Sequence, residues 1–241
     1  MTFDHAARLE ELATSLRLVH ERIGSACTAA GRSPGDVALI VVTKFFPGSD
    51  IEALSQLGVT DIGENRDQEA SAKIAGLPPE VRQRLQVHFI GQLQSNKAAS
   101  LASYVDTVHS IDRDKLVRAL DRAATASGRD LGALVQVSLS GDTPGRGRGG
   151  IPLDGVAELA HSIAAAEHLT LRGLMAVAPL GVDPAEAFAE LATVARGVRA
   201  DHPSSTWISA GMSADLEAAV ANGATHLRVG SAILGSRPPF G

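Results

Sequence analysis

Lys44 closes an apolar run, Val37 to Val42, within Val41-Val42-Thr43-Lys44-Phe45-Phe46-Pro47. An amine among bulky apolar residues at the end of a buried strand is disfavoured in its charged form, and the neutral form attacks carbonyls. A lysine so placed can equally run its methylenes over the strand rim and leave its charge in water. Two later segments could take a phosphate. In Ser209-Ala210-Gly211-Met212-Ser213, and again in Gly230-Ser231, small residues let backbone N–H groups approach an anion while hydroxyls add donors. Each segment is also compatible with helix capping by Ser213 and tight packing at Gly230. Arg228 lies two residues before Gly230, on the same face of the same strand. Its partner there is an anion, a ring acceptor, or a carboxylate such as Glu64 or Asp61. A strand-end amine, a phosphate cup and an arginine suit a phosphorylated aldehyde. Pyridoxal phosphate fits, because its aldehyde condenses with lysine, and a phosphosugar aldolase would use similar parts.

These groups need a scaffold that brings strand ends together. Strand-like runs fall at 37–44, 60–63, 85–90, 104–110, 132–139, 170–177, 206–209 and 225–230. Helical patterns lie between them at 49–57, 65–76, 94–102, 112–127, 154–167, 184–200 and 213–222, with a short tail helix from Ser231. Gly58 and Gly223 end helices just before the next strand. Eight strand–helix units predict an α/β fold, a single parallel (β/α)8 TIM barrel spanning residues 1–241, with a doubly wound open sheet as the alternative. In a barrel, chemistry sits where strands end, and phosphate is frequently held after strands seven and eight. Lys44, Gly63-Glu64-Asn65, Gly91-Gln92, His109-Ser110, Met175 and both candidate phosphate segments all fall at that edge. Leu9, Leu12, Leu16, Val19, Ile23, Ala26 and Ala30 form one apolar face of an additional N-terminal helix over residues 1–31. That face packs on its own barrel or forms a dimer seam.

Composition narrows the class. Among 241 residues, 44% are hydrophobic and only 3% aromatic, so a large core must be built mainly from Ala, Val, Leu and Ile. A net charge of -5 offers no general attraction to nucleic acid or to anionic lipid. Cys27 is the only cysteine, which excludes an internal disulfide and a multi-cysteine metal site, and it reads as a small buried hydrophobe. No apolar stretch is long enough to span a membrane, and Met1 to His5 lack a basic signal region, so a cytoplasmic protein is expected.

Longer motifs carry a resemblance. They are Val42-Thr43-Lys44; Gly63-Glu64-Asn65 with Gln68-Glu69; the run His88-Phe89-Ile90-Gly91-Gln92-Leu93-Gln94-Ser95-Asn96-Lys97; His109-Ser110-Ile111-Asp112; Arg172-Gly173-Leu174-Met175; Gly211-Met212-Ser213 with Asp215 and Glu217-Ala218-Ala219; and Arg228-Val229-Gly230. From about residue 7 to Arg237 the chain resembles the YggS/PROSC family of pyridoxal phosphate homeostasis proteins, whose barrel is similar to the N-terminal domain of alanine racemase. The resemblance implies pyridoxal 5′-phosphate held as a covalent aldimine on Lys44, with Asn65 and Met175 beside it. It implies Ser209, Gly211, Met212, Ser213, Gly230 and Ser231 around the phosphate, and Arg228 near the pyridine nitrogen. The chain departs from the family pattern at Arg66, where tyrosine is common, and in the Gly/Arg-rich loop 141–150, read as a mobile lid edge. His88 reads as a packed, hydrogen-bonded strand residue and Lys97 as a rim charge.

The expected role is a reversible carrier or buffer of the cofactor with little or no turnover, serving pyridoxal phosphate-dependent apoenzymes, as a monomer or weak homodimer. An arginine at the ring nitrogen does not readily give up its proton, which weakens the electron sink. Racemases of this fold draw a second base from an additional β domain, for which the residues after the eighth unit leave no room. The rival readings are a slow amino-acid racemase or lyase on the same lysine, a class I aldolase, and an interaction protein with a vestigial site.

Overall fold

In the computed structural model, residues 5–139 and 149–236 are described. Eight parallel strands close into a barrel in chain order. They are β1 (Ala38–Val42), β2 (Asp61–Glu64), β3 (Gln86–Phe89), β4 (Thr107–Ile111), β5 (Leu131–Gln136), β6 (Leu169–Met175), β7 (Trp207–Ser209) and β8 (His226–Val229). Closure comes from β1 pairing with β8, Ile40 opposite Arg228 and Val41 opposite Val229. The helices are α1 (His5–Ala29), α2 (Gly48–Gln56), α3 (Asp67–Ala75), α4 (Pro79–Arg82), α5 (Ala98–Tyr104), α6 (Asp114–Ser127), α7 (Val156–Ala164), α8 (Pro184–Asp201), α9 (Leu216–Ala221) and α10 (Ser231–Leu234). Every sequence-predicted strand is present, and the open-sheet alternative falls with closure. The short α4, which starts Pro79-Glu80, was not anticipated, because one helical turn carries no apolar period.

Strands buried on both faces read as continuous apolar runs, and all six residues of β5 are buried. The apolar stripe of α1 is used within the chain. Leu12, Leu16, Val19, Ile23, Ala26 and Cys27 are buried, and α1 packs on α2, α9 and α10. Polar ties fix its register: Arg8 with Asp50, Arg22 with Glu217, and Arg32 donating to the Val220 and Ala224 carbonyls. Among the described residues no helix is long and apolar enough to cross a membrane.

Gly173 shows how tightly the strands pass. At φ 154° its missing Cβ would fall on the backbone of Trp207, so no side chain fits between β6 and β7. The Gly/Arg-rich loop expected to form a lid edge lies, from residue 140 to 148, outside the described residues.

Candidate functional site at the barrel mouth

Lys44 lies two residues past the end of β1 and is half-buried. The Phe46 N–H bonds the Thr43 carbonyl at 3.1 Å, so Lys44 and Phe45 are the middle of a tight turn. Phe45 has φ 71°, the only positive value at a non-glycine position among the described residues. Its ring has the Lys44 amine 5.8 Å from the centroid and the Arg66 guanidinium 4.9 Å away. No hydrogen bond or ion pair engages the Lys44 amine among the described residues.

On either side stand the other strand ends. Gly230 passes so close to β1 that a Cβ there would lie 3.2 Å from the Val42 carbonyl oxygen. The hydroxyls of Ser213 and Ser231 approach to 3.5 Å, so the two predicted phosphate segments converge. Gly211 takes φ 90°, and a Cβ there would meet Ala219 at 2.5 Å. Ser213 does not cap α9. Instead Asp215 is the cap residue and its carboxylate accepts the Met212 N–H at 2.6 Å. Asn65, half-buried, presses its backbone and amide against Gly91, where no side chain could fit. Met175 is buried at the end of β6.

Arg228 is 4% exposed and makes no ion pair among the described residues. Its Nη1 donates to Ser209 Oγ at 2.7 Å and its Nη2 to the Ala176 carbonyl at 2.9 Å, so neither Glu64 nor Asp61 is its partner. Burial draws its pKa down to about 10, which still leaves it charged at neutral pH. Ser209 is fully buried, and its hydroxyl is engaged by Arg228 and His109.

The chain of contacts continues across the barrel. Ser209 Oγ lies 2.9 Å from His109 Nδ1, His109 Nε2 lies 2.9 Å from His88 Nδ1, and His88 Nε2 lies 3.0 Å from Asp61 Oδ1. Arginine can only donate. With neutral imidazoles, one proton order then satisfies every link: Ser209 donates to His109, His109 to His88, and His88 to Asp61. Burial holds the His109 pKa well below the ordinary histidine value. Burial raises the Asp61 carboxyl, but hydrogen bonds from His88 and Thr60 outweigh it and the net shift is downward. His88 is thus the packed, bonded histidine expected from its place inside a strand.

Behind β1 and β2, Glu64 and Glu69 of the sequence motif meet Lys73, which the sequence did not single out. Glu64 is fully buried, with Oε1 accepting from Thr43 Oγ1 at 2.7 Å and from Lys73 Nζ at 2.9 Å. Its second oxygen has no partner among the described residues. Burial raises its pKa, with Lys73 and Thr43 opposing. The signal for Lys73 was present: Glu69 and Lys73 are four residues apart on the helix that follows Gly63-Glu64-Asn65.

The long His88 to Lys97 motif lines a polar cavity of about 660 Å³ beside Asn65, with Gln92, Gln94, Lys97, Arg66 and Arg113 on its walls. Lys97 is a rim charge 3.6 Å from Asp67.

The alanine racemase N-terminal domain family matches residues 28–238. A relative from Mycobacterium tuberculosis named pyridoxal phosphate homeostasis protein is 42% identical over 243 residues, covering 95% of this chain and 94% of its own. The chain belongs to the pyridoxal phosphate homeostasis protein family. Among solved structures, a protein from Bifidobacterium adolescentis superposes with a TM-score of 0.88 at 32% identity, covering 97% of both chains. PipY of Synechococcus elongatus was solved with PLP bound. It superposes with a TM-score of 0.77 at 34% identity, covering 93% of this chain and 100% of its own.

Proposed function

We propose that this chain binds pyridoxal 5′-phosphate reversibly through Lys44 and serves its homeostasis, holding the cofactor and passing it to apoenzymes with little or no turnover. One observation carries the reading: Arg228 is a buried cation at the mouth with no carboxylate partner among the described residues. A buried charge is costly unless something pairs with it, and an anionic ring ligand with an acceptor nitrogen would do so. The donor set fits the cofactor. Lys44 offers an amine with no hydrogen bond or ion pair among the described residues, Ser213 and Ser231 converge for a phosphate, and Gly211, Met212 and Gly230 let their backbones approach it. Asn65 and Met175 border the space between, and Ser209 holds Arg228 from below.

When bound, the cofactor supplies an aldehyde for condensation with amines and a ring that withdraws electrons. Lys44 would hold the cofactor by reversible condensation of its amine with that aldehyde, with water released on binding and taken up again on release. Arg228, a donor that keeps its proton, would hold an acceptor ring nitrogen without protonating it and so would leave the ring a weak electron sink. The only tyrosine, Tyr104, donates to Asp67 on the outer side of the barrel and supplies no base at the mouth. Storage and release follow more readily from this site than carbanion chemistry.

The test is an absorbance titration with pyridoxal phosphate, followed by borohydride reduction and peptide mapping, with Lys44→Ala in parallel. A visible band that borohydride fixes on Lys44, and that Lys44→Ala lacks, is the expected result. No band in the wild type, or an equal one in Lys44→Ala, would sink the reading. Transfer is tested by mixing the loaded protein with a pyridoxal phosphate-dependent apoenzyme and following recovery of that enzyme's activity.

A further inference from the structure

The two peptide groups that flank Lys44 are both held by side chains of α3. Lys73 Nζ donates to the Thr43 carbonyl at 2.9 Å, and Glu69 Oε1 accepts the Phe45 N–H at 2.6 Å. Lys73 and Glu69 pair with each other at 3.1 Å, and Lys73 also bonds the buried Glu64. Phe45, at φ 71°, fills a turn position that ordinarily calls for glycine. Bulky residues rarely take this conformation, and strain of this kind persists only where the surroundings over-determine it. Here the surroundings are ionic, with the Lys73 side chain only 7% exposed.

A turn that merely reversed the chain would be served by glycine at position 45 and a neutral helix–sheet contact. Buried charges carry a desolvation cost that apolar packing avoids. What the charges fix is specific: the Thr43–Lys44 and Lys44–Phe45 peptide planes, which together set the direction of the Lys44 Cα–Cβ bond. Lysine has a flexible four-carbon stem, so fixing its root narrows the volume its amine explores and raises the fraction of time it meets an aldehyde in reacting geometry.

We propose that Glu69 and Lys73 are positioning residues for Lys44, gripping both peptide planes so that its amine leaves the barrel wall toward the bound aldehyde. This rests on the cofactor reading above, and neither residue touches the ligand.

The experiment compares full-length wild type with Glu69→Ala, Glu69→Asp and Glu69→Gln. Hydrogen exchange over residues 43–46 reads the tether in ligand-free protein. Absorbance titration with pyridoxal phosphate reads covalent binding, and thermal melting reads global stability. Glu69→Ala frees the Phe45 amide and weakens covalent binding by about tenfold or more, the weight of one hydrogen bond to a charged group. Glu69→Asp keeps the charge but retracts the acceptor by one methylene. It moves both readouts the same way and serves if the alanine variant does not fold. Glu69→Gln keeps a carbonyl acceptor for Phe45 and retains most of both. The inference is overturned if the Phe45 amide is freed while binding matches wild type. It is also overturned if all three variants lose binding only in step with melting temperature. A wild type that forms no covalent complex overturns the cofactor reading and this inference together, so the two failures are distinguishable.

Discussion

Replacing Lys73 by methionine should be one of the most damaging single changes in this protein, although Lys73 is absent from the mouth. Its ammonium lies 2.9 Å from Glu64 Oε1 and 2.9 Å from the Thr43 carbonyl, and Glu64 is fully buried with its other oxygen unpartnered. Lys73→Met leaves that carboxylate with one hydroxyl donor, and breaking a buried pair from one side costs about 3–5 kcal/mol. In a chain of this size each kcal/mol moves Tm by about 2–4 °C, so a fall of roughly 6–20 °C at neutral pH is expected. The deficit has a definite pH dependence. Burial already raises the Glu64 pKa, and losing Lys73 removes its largest opposing influence. A raised acid destabilises only when ionised. The deficit therefore shrinks as pH falls toward the unfolded carboxylate range and is complete above the folded value. The double variant Lys73→Met/Glu64→Gln removes both charges and should recover most of the loss. Thermal and urea melts of the three proteins between pH 4 and 8 decide the matter. A single variant that costs under about 1 kcal/mol, the worth of an exposed pair, would refute the reasoning. So would a double variant no more stable than the single one.

Other expectations follow from the barrel interior and rim. Burial pulls the His226 pKa down to about 4, and the buried His109 shifts the same way. Both bind protons more readily when unfolded. Stability should therefore drop as pH falls from about 6.5 to about 4, by up to about 3 kcal/mol from His226. His226→Gln should flatten that slope in acid melts, and an unchanged slope would show that the histidine is not its source. Gly173→Ala would put a methyl on the Trp207 backbone and should cost several kcal/mol or prevent folding, read from soluble yield and melting. Ser213→Ala with Ser231→Ala should weaken pyridoxal phosphate binding while leaving binding of pyridoxal, which lacks the phosphate, unchanged. Equal weakening of both ligands would mean that the hydroxyls do not face a phosphate.

Much of this was legible in the sequence because barrel strands and their helices differ in period and length. The run from Val37 to Val42 is too short and too evenly apolar to be an amphipathic helix, and the stripe from Leu9 to Ala26 has helical spacing alone. The mouth residues could be named because they follow the strands directly. What was not legible was pairing at a distance. Nothing in the spacing of His88, His109, Ser209 and Asp61 says that they join in one chain, since that depends on which strands face each other across the closed barrel. Arg228 was expected to meet a ligand or a carboxylate, whereas its protein partners are a hydroxyl and a carbonyl, groups too common to be predicted. For Lys73 the sequence shows only its spacing from Glu69, because its burial comes from packing behind β1 and β2.

The neutral partners of Arg228 carry a physical consequence of their own. A carboxylate bonded to this arginine would orient it well, but it would also cancel the charge that a ligand meets. A hydroxyl and a carbonyl orient the fork with dipoles alone and leave the net charge in place. Asp215 acts on Arg228 only through space, and the carboxylate that ends its hydrogen-bonded chain, Asp61, lies beyond Ser209, His109 and His88, where the sheet begins. Each hydrogen bond in that chain points the same way, so the dipoles stabilise Arg228 without neutralising it. At the low effective dielectric of a barrel interior, an uncancelled charge draws an anion far more strongly than the same charge would in water. The polar interior, an odd feature in a barrel otherwise packed with aliphatic side chains, is thus the means by which a buried arginine is both held still and kept attractive to an anion.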